Sequence, residues 1–264
     1  MLTVVTATYN RAYTLPRLFD SLLQQTRMNF EWVVVDDGST DETESLLKDF
    51  QAQATFPMKV IKQENAGKHV AINSGVQSSS GAWVYFVDSD DALTVDAVEV
   101  FTAAATSDRD KTTVGYCYRR QAFSGKIVGR PTDGSTAELR VMTPTAAGNF
   151  YEGDLAYIFK RAALIKHPFP VFVGEKFVPE LLIWNRISDE GIINFFGNKI
   201  LYLCEYLEDG YTANFSSMLR RNPLGFGLYY KHQIFREKSA VRKIKCLIRY
   251  VQCLIFSMTK ERFS

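Results

Sequence analysis

The residues of this chain best suited to chemistry are three carboxylates that directly follow an apolar segment. Asp88, Asp90 and Asp91 come after residues 83–87, whose composition predicts a buried strand. Carboxylates crowded at one strand end repel each other unless a cation neutralises them. Mn²⁺ or Mg²⁺ bridging to a diphosphate fits this pattern, because such ions take oxygen ligands and rarely sit in cages made only of protein. The alternative is an acidic turn that caps a helix beginning near Leu93.

The elements that would position these carboxylates alternate between strand and helix. The predicted strands are residues 2–8, 30–35, 58–61 and 83–87, and the predicted helices are residues 15–23, 41–50 and 68–77. This order implies a parallel sheet with helices on both faces and with ligands at the carboxyl ends of the strands. Polar clusters follow all four strands. The sequence therefore predicts an α/β fold with a binding site along one edge of the sheet.

The pattern weakens in the second half of the chain. Residues 124–144 are rich in turn formers. The elements predicted around them are strands at residues 113–118, 154–159 and 200–205, a helix at 179–187, and helices over the last forty residues.

Charge is distributed unevenly along the chain. The net charge is +2, yet residues 216–264 hold 11 Lys and Arg against 2 Asp and Glu, so the preceding part is acidic. Apolar residues recur at helical spacing from Ile244 to Met258, which indicates a helix able to lie on an anionic leaflet. The alternative is a helix docked on the rest of the protein with a solvated basic face. Nucleic acid is disfavoured as a partner, because no recognised binding module accompanies the charge.

This sequence lacks the signatures of several other classes of protein. The cysteines have no CxxC spacing and no histidine at metal-ligand spacing, which disfavours a zinc site. The first residues read as a strand and not a signal peptide, and no uncharged apolar run approaches the ~20 residues of a spanning helix. No G-x-G-x-x-G follows the first strand, which disfavours a nicotinamide-dependent oxidoreductase. We therefore expect a cytoplasmic, reduced protein.

Five motifs, in their order and spacing, resemble the inverting glycosyltransferases of family 2, which have the GT-A fold. They are TATYNR at 6–11, VVDDGSTD at 34–41, NAGK at 65–68, NSG at 73–75 and DSDD at 88–91. The resemblance is close over residues 1–95 and looser to about residue 212, and bacterial enzymes that build capsular or lipopolysaccharide chains match best.

The resemblance implies a Rossmann-like, mostly parallel central sheet with helices on both faces. It also implies a division of the chain into three parts. Residues 1–95 would be the nucleotide-sugar-binding half, residues 96–215 the acceptor-binding half, and residues 216–264 a basic amphipathic helical extension.

The resemblance further implies roles around the nucleotide. Asp37 would accept a hydrogen bond from the N–H of uracil, and Thr8 and Tyr9 would pack around the base. The alternatives are that Asp37 caps the next helix and that Tyr9 only fills the core. Lys68, at a predicted helix N-terminus, is a candidate contact to the diphosphate or the base, or else a solvated surface lysine. His69 could touch the ligand, although a lone histidine more often has a structural partner.

In the acidic motif, the resemblance makes Asp90 the metal ligand, for Mn²⁺ or Mg²⁺. Asp88 would lie near the ribose or assist the ion, and Asp91 would cap the following helix. Many family members carry an arginine where this chain has Ile72.

An inverting displacement also needs a base that removes the acceptor hydroxyl proton. Family members place an acid just before a helix in the second half, where this chain has Pro179 and Glu180 in place of the usual Glu-Asp pair. Glu180, six residues before Arg186, is the candidate base, and Glu175 is the runner-up. Either is alternatively a helix N-terminal acid.

Together these features predict an inverting, metal-dependent transferase that moves a sugar from a nucleotide sugar, a UDP-sugar, to a glycan or lipid-linked glycan in surface polysaccharide synthesis. Residues 232–264 would bind an anionic membrane surface on the inner membrane face. The competing hypothesis is a non-catalytic nucleotide-sugar-binding or scaffold protein with the same fold.

Overall fold

The structure is a computed structural model that describes residues 1–131, 139–205 and 215–261, with side chains as far as residue 259. Part of the turn-rich segment (132–138), residues 206–214 and the last three residues of the basic extension lie outside the described residues, as does the side chain of Lys260.

Strands and helices alternate from residue 2 to residue 86, as the sequence predicts, and a short strand then precedes the next helix. The elements are β1 (Leu2–Thr8), α1 (Leu15–Leu23), β2 (Phe30–Asp36), α2 (Thr43–Gln53), β3 (Met58–Lys62), α3 (Lys68–Ser78), β4 (Trp83–Phe86), β5 (Ala92–Leu93) and α4 (Ala97–Ser107).

The second part mixes strands with shorter helices and ends in three helices. The elements are β6 (Thr113–Ala122), β7 (Leu139–Val141), α5 (Pro144–Tyr151), β8 (Leu155–Lys160), α6 (Arg161–Lys166), α7 (Leu181–Ile187), β9 (Ile192–Cys204), α8 (Phe215–Arg221), α9 (Pro223–Arg236) and α10 (Ala240–Glu261).

One nine-stranded sheet contains all of these strands. Strands β3, β2, β1 and β4 are neighbours and run parallel, as predicted. Strand β8 pairs antiparallel with β4, and β6 pairs antiparallel with β8. Two reversals bring β6 back to the direction of β4, so that its carboxyl end lies at the same edge of the sheet as the ends of the first four strands.

Helices cover both faces of the sheet. Successive residues of a strand point to opposite faces, so neighbouring residues of β2 pack against different helices. Trp32 and Val34 of β2 pack in one buried cluster with residues of α1, α2 and α4. Val33, between them, packs in a second cluster with residues of α3, α6 and α7. The predicted α/β fold is therefore confirmed, with a parallel first half and a mixed second half.

The segment after the acidic motif differs from the prediction. Ala92 and Leu93 form the short strand β5, paired antiparallel with Leu203 and Tyr202 of β9, instead of beginning a helix. Helix α4 begins only at Ala97. A two-residue strand carries no periodicity of its own, so only its long-range partner reveals it.

The last three helices pack on one another and on the loop before α7. Cys246 and Cys253 of α10 are buried against the rest of the protein, and all four cysteines are unpaired. Within residues 1–131, 139–205 and 215–261, no helix is both long enough and apolar enough to cross a bilayer.

Candidate active site

The candidate site lies at the sheet edge where β1, β2 and β4 end. Thr8, the last residue of β1, pairs with Asp36, the last residue of β2. The side chain of Thr8 is buried, and its hydroxyl has no hydrogen-bond partner among the described residues. Tyr9 is 47% exposed, which excludes the interpretation that it merely fills the core. The strand ends therefore bring a buried hydroxyl and an accessible ring to one place.

Asp37 holds the turn that leads into α3. One carboxylate oxygen accepts hydrogen bonds from the amide of Ala66 at 3.0 Å and from Gln63 Nε2 at 2.8 Å, and the other accepts from the amide of Gly67 at 2.8 Å. A carboxylate has about four lone-pair sites, so one remains for a further donor. The alternative of a cap on α2 is wrong, since Asp41 accepts the hydrogen bond from the amide of Thr43.

Gly67 fixes how closely this turn approaches the second half of the chain. Its φ is +99°, and a Cβ added there would lie 2.2 Å from the carbonyl oxygen of Lys176. The turn before α3 therefore packs directly on the backbone of residue 176, a few residues before the candidate base.

Lys68, the first residue of α3, connects the acidic motif to the candidate base. Its Nζ lies 2.6 Å from Asp88 Oδ1 and 2.8 Å from Glu180 Oε1. Only 22% of the Lys68 side chain is exposed, which excludes the interpretation of a solvated surface lysine. Burial works against the charge of Lys68, but the two carboxylates outweigh it and raise its pKa well above the ordinary value. Three predicted site residues from distant parts of the chain are thus in contact.

Asp88 has a second cationic neighbour that the sequence analysis missed. Arg120 Nη1 lies 3.9 Å from a carboxylate oxygen of Asp88 and 3.9 Å from one of Asp91. Burial opposes ionisation of Asp88, but Lys68 and Arg120 outweigh it and lower the pKa of Asp88. The available signal was the pair Arg119 and Arg120 directly after the predicted strand 113–118, because a strand that continues through them places them on opposite sides.

Asp91 does not cap the following helix, so that prediction was wrong. Its Oδ2 accepts a hydrogen bond from the Tyr202 hydroxyl at 2.7 Å, and its Oδ1 accepts one from the amide of Glu205 at 3.2 Å. Asp96 occupies the N-cap position of α4. Burial, reinforced by the Asp88 carboxylate, raises the pKa of Asp91 to about 7. Asp91 therefore ties the acidic turn to the end of β9.

The carboxylate of Asp90 makes neither the ion pairs described for Asp88 nor the hydrogen bonds described for Asp91. The main-chain oxygen of Asp90 accepts a hydrogen bond from Arg17 Nη2. Burial and the neighbouring Asp88 raise the pKa of Asp90, so a nearby cation would favour its ionised form.

The donor set fits a divalent cation that is shared with a ligand. Among the described residues, no group of three or more His, Cys, Asp or Glu side chains is arranged as a metal cage. Lys68 already neutralises Asp88, whereas Asp90 has a hard oxygen donor to offer. Mg²⁺ and Mn²⁺ are commonly held by one or two carboxylates together with phosphate oxygens. Asp90, assisted by Asp88, could hold such an ion beside a diphosphate.

The two candidate bases have different environments. Glu180 precedes the first residue of α7 and reaches Lys68 with a side chain that is 29% exposed. Glu175 is buried, and its two oxygens accept hydrogen bonds from the amides of Leu224 at 2.7 Å and Gly225 at 2.8 Å. Glu175 is thus a helix N-terminal acid, but for α9 and not for α7.

His69 and Ile72 face inward beside this site. Both are buried, and together with Lys68, Phe177 and Glu180 they surround a recess that is too narrow to hold a water molecule. Burial lowers the pKa of His69 and so favours the neutral imidazole. Ile72 belongs to the second buried cluster, which explains why an apolar residue suits that position.

Comparison with known proteins agrees with this architecture. The profile of Glycosyl transferase family 2 matches residues 3–168, more than half of the chain. Glycosyltransferase GlyA of Streptococcus pneumoniae serotype 4 is 30% identical over 206 residues, which cover 76% of this chain and 29% of GlyA. This chain spans well under half of the length of the curated relatives that it matches.

Two solved structures show the same fold. S. aureus TarS 1–349 in complex with UDP-GlcNAc superposes with a TM-score of 0.66 at 20% identity, over 96% of this chain and 72% of that chain. The mannosyltransferase PcManGT from Pyrobaculum calidifontis, in complex with GDP-Man and Mn²⁺, superposes with a TM-score of 0.62 at 18% identity, over 100% of this chain and 75% of that chain. The predicted GT-A fold is confirmed.

The packing of Gly67 leads to a testable prediction for stability. Gly67→Ala and Gly125→Ala both place a side chain at positive φ, at a cost of about 1–3 kcal/mol each. Only at Gly67 does the new Cβ also meet backbone, whereas nothing lies within 4 Å at Gly125. We expect Gly67→Ala to lower the free energy of unfolding by about 1–3 kcal/mol more than Gly125→Ala. Urea denaturation followed by tryptophan fluorescence measures both, and equal losses would contradict the described packing.

Proposed function

This chain belongs to glycosyltransferase family 2, and on that premise we propose that it transfers a sugar, with inversion, from a UDP-sugar to a glycan or lipid-linked glycan. The observation that carries the proposal is the contact of Lys68 with both Asp88 and Glu180. It joins the acidic motif, where the donor diphosphate would bind, to the acid that would activate the acceptor.

The uracil would lie against Thr8, Tyr9 and Asp37. The free lone-pair site on Asp37 supports this assignment, because it could accept one hydrogen bond from the uracil N–H. The exposed ring of Tyr9 and the unpartnered hydroxyl of Thr8 are further groups at the same strand ends. That TarS is described in complexes with UDP and with UDP-GlcNAc is consistent with a uridine nucleotide.

The diphosphate would lie beside Asp90, with Asp88 towards the ribose. Lys68 is a nearby ammonium with three donors, so it could add a phosphate oxygen to its present partners. Mn²⁺ or Mg²⁺, when bound, would act as a Lewis acid that offsets the charge on the departing nucleoside diphosphate. PcManGT, described with GDP-Man and Mn²⁺, has the same fold.

Glu180 would be the base. In the displacement, the acceptor oxygen bonds to the anomeric carbon, the bond from that carbon to the phosphate oxygen breaks, and the hydroxyl proton passes to the Glu180 carboxylate. Glu180 is favoured over Glu175, because both oxygens of Glu175 are engaged by the amides of α9. The presence of both Asp90 and Glu180 also favours an enzyme over the non-catalytic binding or scaffold protein.

The three parts of the chain have different roles in this proposal. We assign donor binding to residues 1–95 and acceptor binding to residues 96–215. Within the basic extension 216–264, we assign binding of an anionic membrane surface to residues 232–264. The acceptor would belong to surface polysaccharide synthesis at the cytoplasmic side of the inner membrane. The support for this is the resemblance to bacterial polysaccharide enzymes and the charge of the extension.

The donor and metal assignments predict a ligand-dependent thermal shift. At concentrations near 100 Kd, UDP with Mn²⁺ should stabilise the protein by about 2.7 kcal/mol, a rise in Tm on the order of 5 °C. Asp90→Asn should lose the Mn²⁺-dependent part of this shift, because it removes one hard oxygen ligand. The control Asp49→Asn, at an exposed position of α2, should behave like the wild type.

Two results would contradict these assignments. A full Mn²⁺-dependent shift in Asp90→Asn would show that Asp90 is not the metal ligand. A thermal shift with GDP but none with UDP would show that the assignment of uracil as the nucleobase is wrong.

The assignment of Glu180 as the catalytic base predicts a large loss of turnover in Glu180→Gln. Glutamine keeps the shape of the side chain but cannot take the proton, so transfer should fall on the order of 10²–10⁴-fold. The UDP thermal shift should remain, since the acid would face the acceptor.

Glu175→Gln is the matched control, and it should lower stability while it keeps turnover within a few-fold of the wild type. If Glu175→Gln loses turnover and Glu180→Gln stays active, the roles must be exchanged. Release of UDP from a UDP-sugar in the presence of lipid-linked acceptor extracts measures turnover.

A further inference from the structure

Helix α10 has a buried face and an exposed apolar face on opposite sides. The buried face is narrow and contains Cys246, which is 9% exposed, and Cys253, which is 1% exposed. It packs on α9, where a Cβ added at Gly227 would lie 3.4 Å from the Cβ of Cys253. The exposed apolar side chains are between 40% and 64% accessible and comprise Val241, Ile244, Leu247, Ile248, Val251, Leu254, Ile255 and Met258.

These eight side chains form one continuous stripe. At about 100° of rotation per residue, they span an arc of about 140° that is centred opposite the two cysteines. Contiguous exposed apolar surface of this kind marks an interaction site, because isolated apolar residues are normal on a protein surface but a full stripe is not.

The charges around the stripe identify its partner. Between residues 240 and 259 the helix carries four basic residues and no acidic residue. By the same helical geometry, Lys243 lies at one border of the stripe and Lys245 at the other, and both residues are exposed. Long basic side chains at the borders of an apolar face can reach anionic headgroups while the face itself enters the acyl boundary. A second copy of this chain would instead place its own basic border residues against these, and like charges across an interface are unfavourable.

We propose that the exposed apolar face of α10 lies in the plane of an anionic phospholipid leaflet while the helix stays docked on α9. The helix is not a detached tail, since its opposite face belongs to the buried cluster with Leu219 and Phe226. The start of α9 is in turn held by Glu175, five residues before Glu180. The consequence for catalysis rests on the proposed function: a lipid-linked acceptor would meet Glu180 at this leaflet.

Flotation of the full chain with vesicles tests the surface directly. The probes are phosphatidylcholine vesicles with and without about 30% phosphatidylglycerol, at low and high salt. We expect the wild type to float with the anionic vesicles, and less so at high salt, because screening weakens attraction to the headgroups. Ile248→Ser combined with Ile255→Ser should lower the vesicle partition coefficient about tenfold or more at both salt concentrations. Lys243→Gln combined with Lys245→Gln should remove mainly the salt-sensitive part.

A matched control replaces two exposed apolar residues elsewhere. Met28→Ser combined with Val95→Ser changes residues of similar exposure, at 41% and 53%, and should float like the wild type. The UDP thermal shift is measured on every sample, so that loss of nucleotide binding and loss of membrane binding are separate outcomes.

Either of two results would overturn the inference. One is a wild-type protein that does not float with anionic vesicles although it responds to UDP. The other is a wild-type dimer, detected by light scattering, that Ile248→Ser with Ile255→Ser converts to a monomer, since the face would then serve a second copy.

Discussion

The ammonium of Lys68, held between the carboxylates of Asp88 and Glu180, is the interaction on which the site depends. Two carboxylates within hydrogen-bond distance of the same point would repel each other without a cation between them. Lys68 supplies that cation, so the end of β4 and the start of α7 can approach each other across the sheet edge. The position of Lys68 depends in turn on Gly67, because only a residue without a Cβ can lie this close to the backbone of residue 176. It also depends on Asp37, which accepts hydrogen bonds from the amides of the two residues before Lys68.

The same constraint gives the three carboxylates of one turn three different environments. Asp88 is neutralised by Lys68, so its pKa is lowered. Asp91 is buried under the Tyr202 hydroxyl, and its pKa is raised to about 7. Asp90 is left with a raised pKa. Composition alone treats these residues as one acidic cluster. Their surroundings divide them into a group that holds the lysine, a group that anchors the turn, and a group that is available to a ligand.

Local pattern predicted the parallel half of the fold well, because each of its strands carries an apolar run that ends in polar residues. Strand β1 was predicted with the bounds Leu2–Thr8 that the structure has. Features that depend on distant partners were missed. The hydrogen bond from Tyr202 to Asp91 joins residues 111 positions apart, and β5 exists only through its pairing with β9. Lys68, Asp88 and Glu180 could be named as candidates from the sequence, but the contacts of Lys68 with the two carboxylates could not.

The sequence left open whether the basic extension lies on a membrane or docks on the domain, as though one excluded the other. A helix has two faces, and α10 uses the narrow one, with Cys246 and Cys253, for docking. Deleting α10 would therefore uncover the apolar cluster around Leu219 and Phe226, and would destabilise the protein whether or not a membrane is its partner. Substitutions in the exposed stripe leave that cluster intact. Since the start of α9, on which α10 rests, is fixed by the carboxylate of Glu175, an intact extension also keeps the loop before α7 in place. The stability of the extension and the membrane contact proposed for it are thus separable only by changes on its outer face.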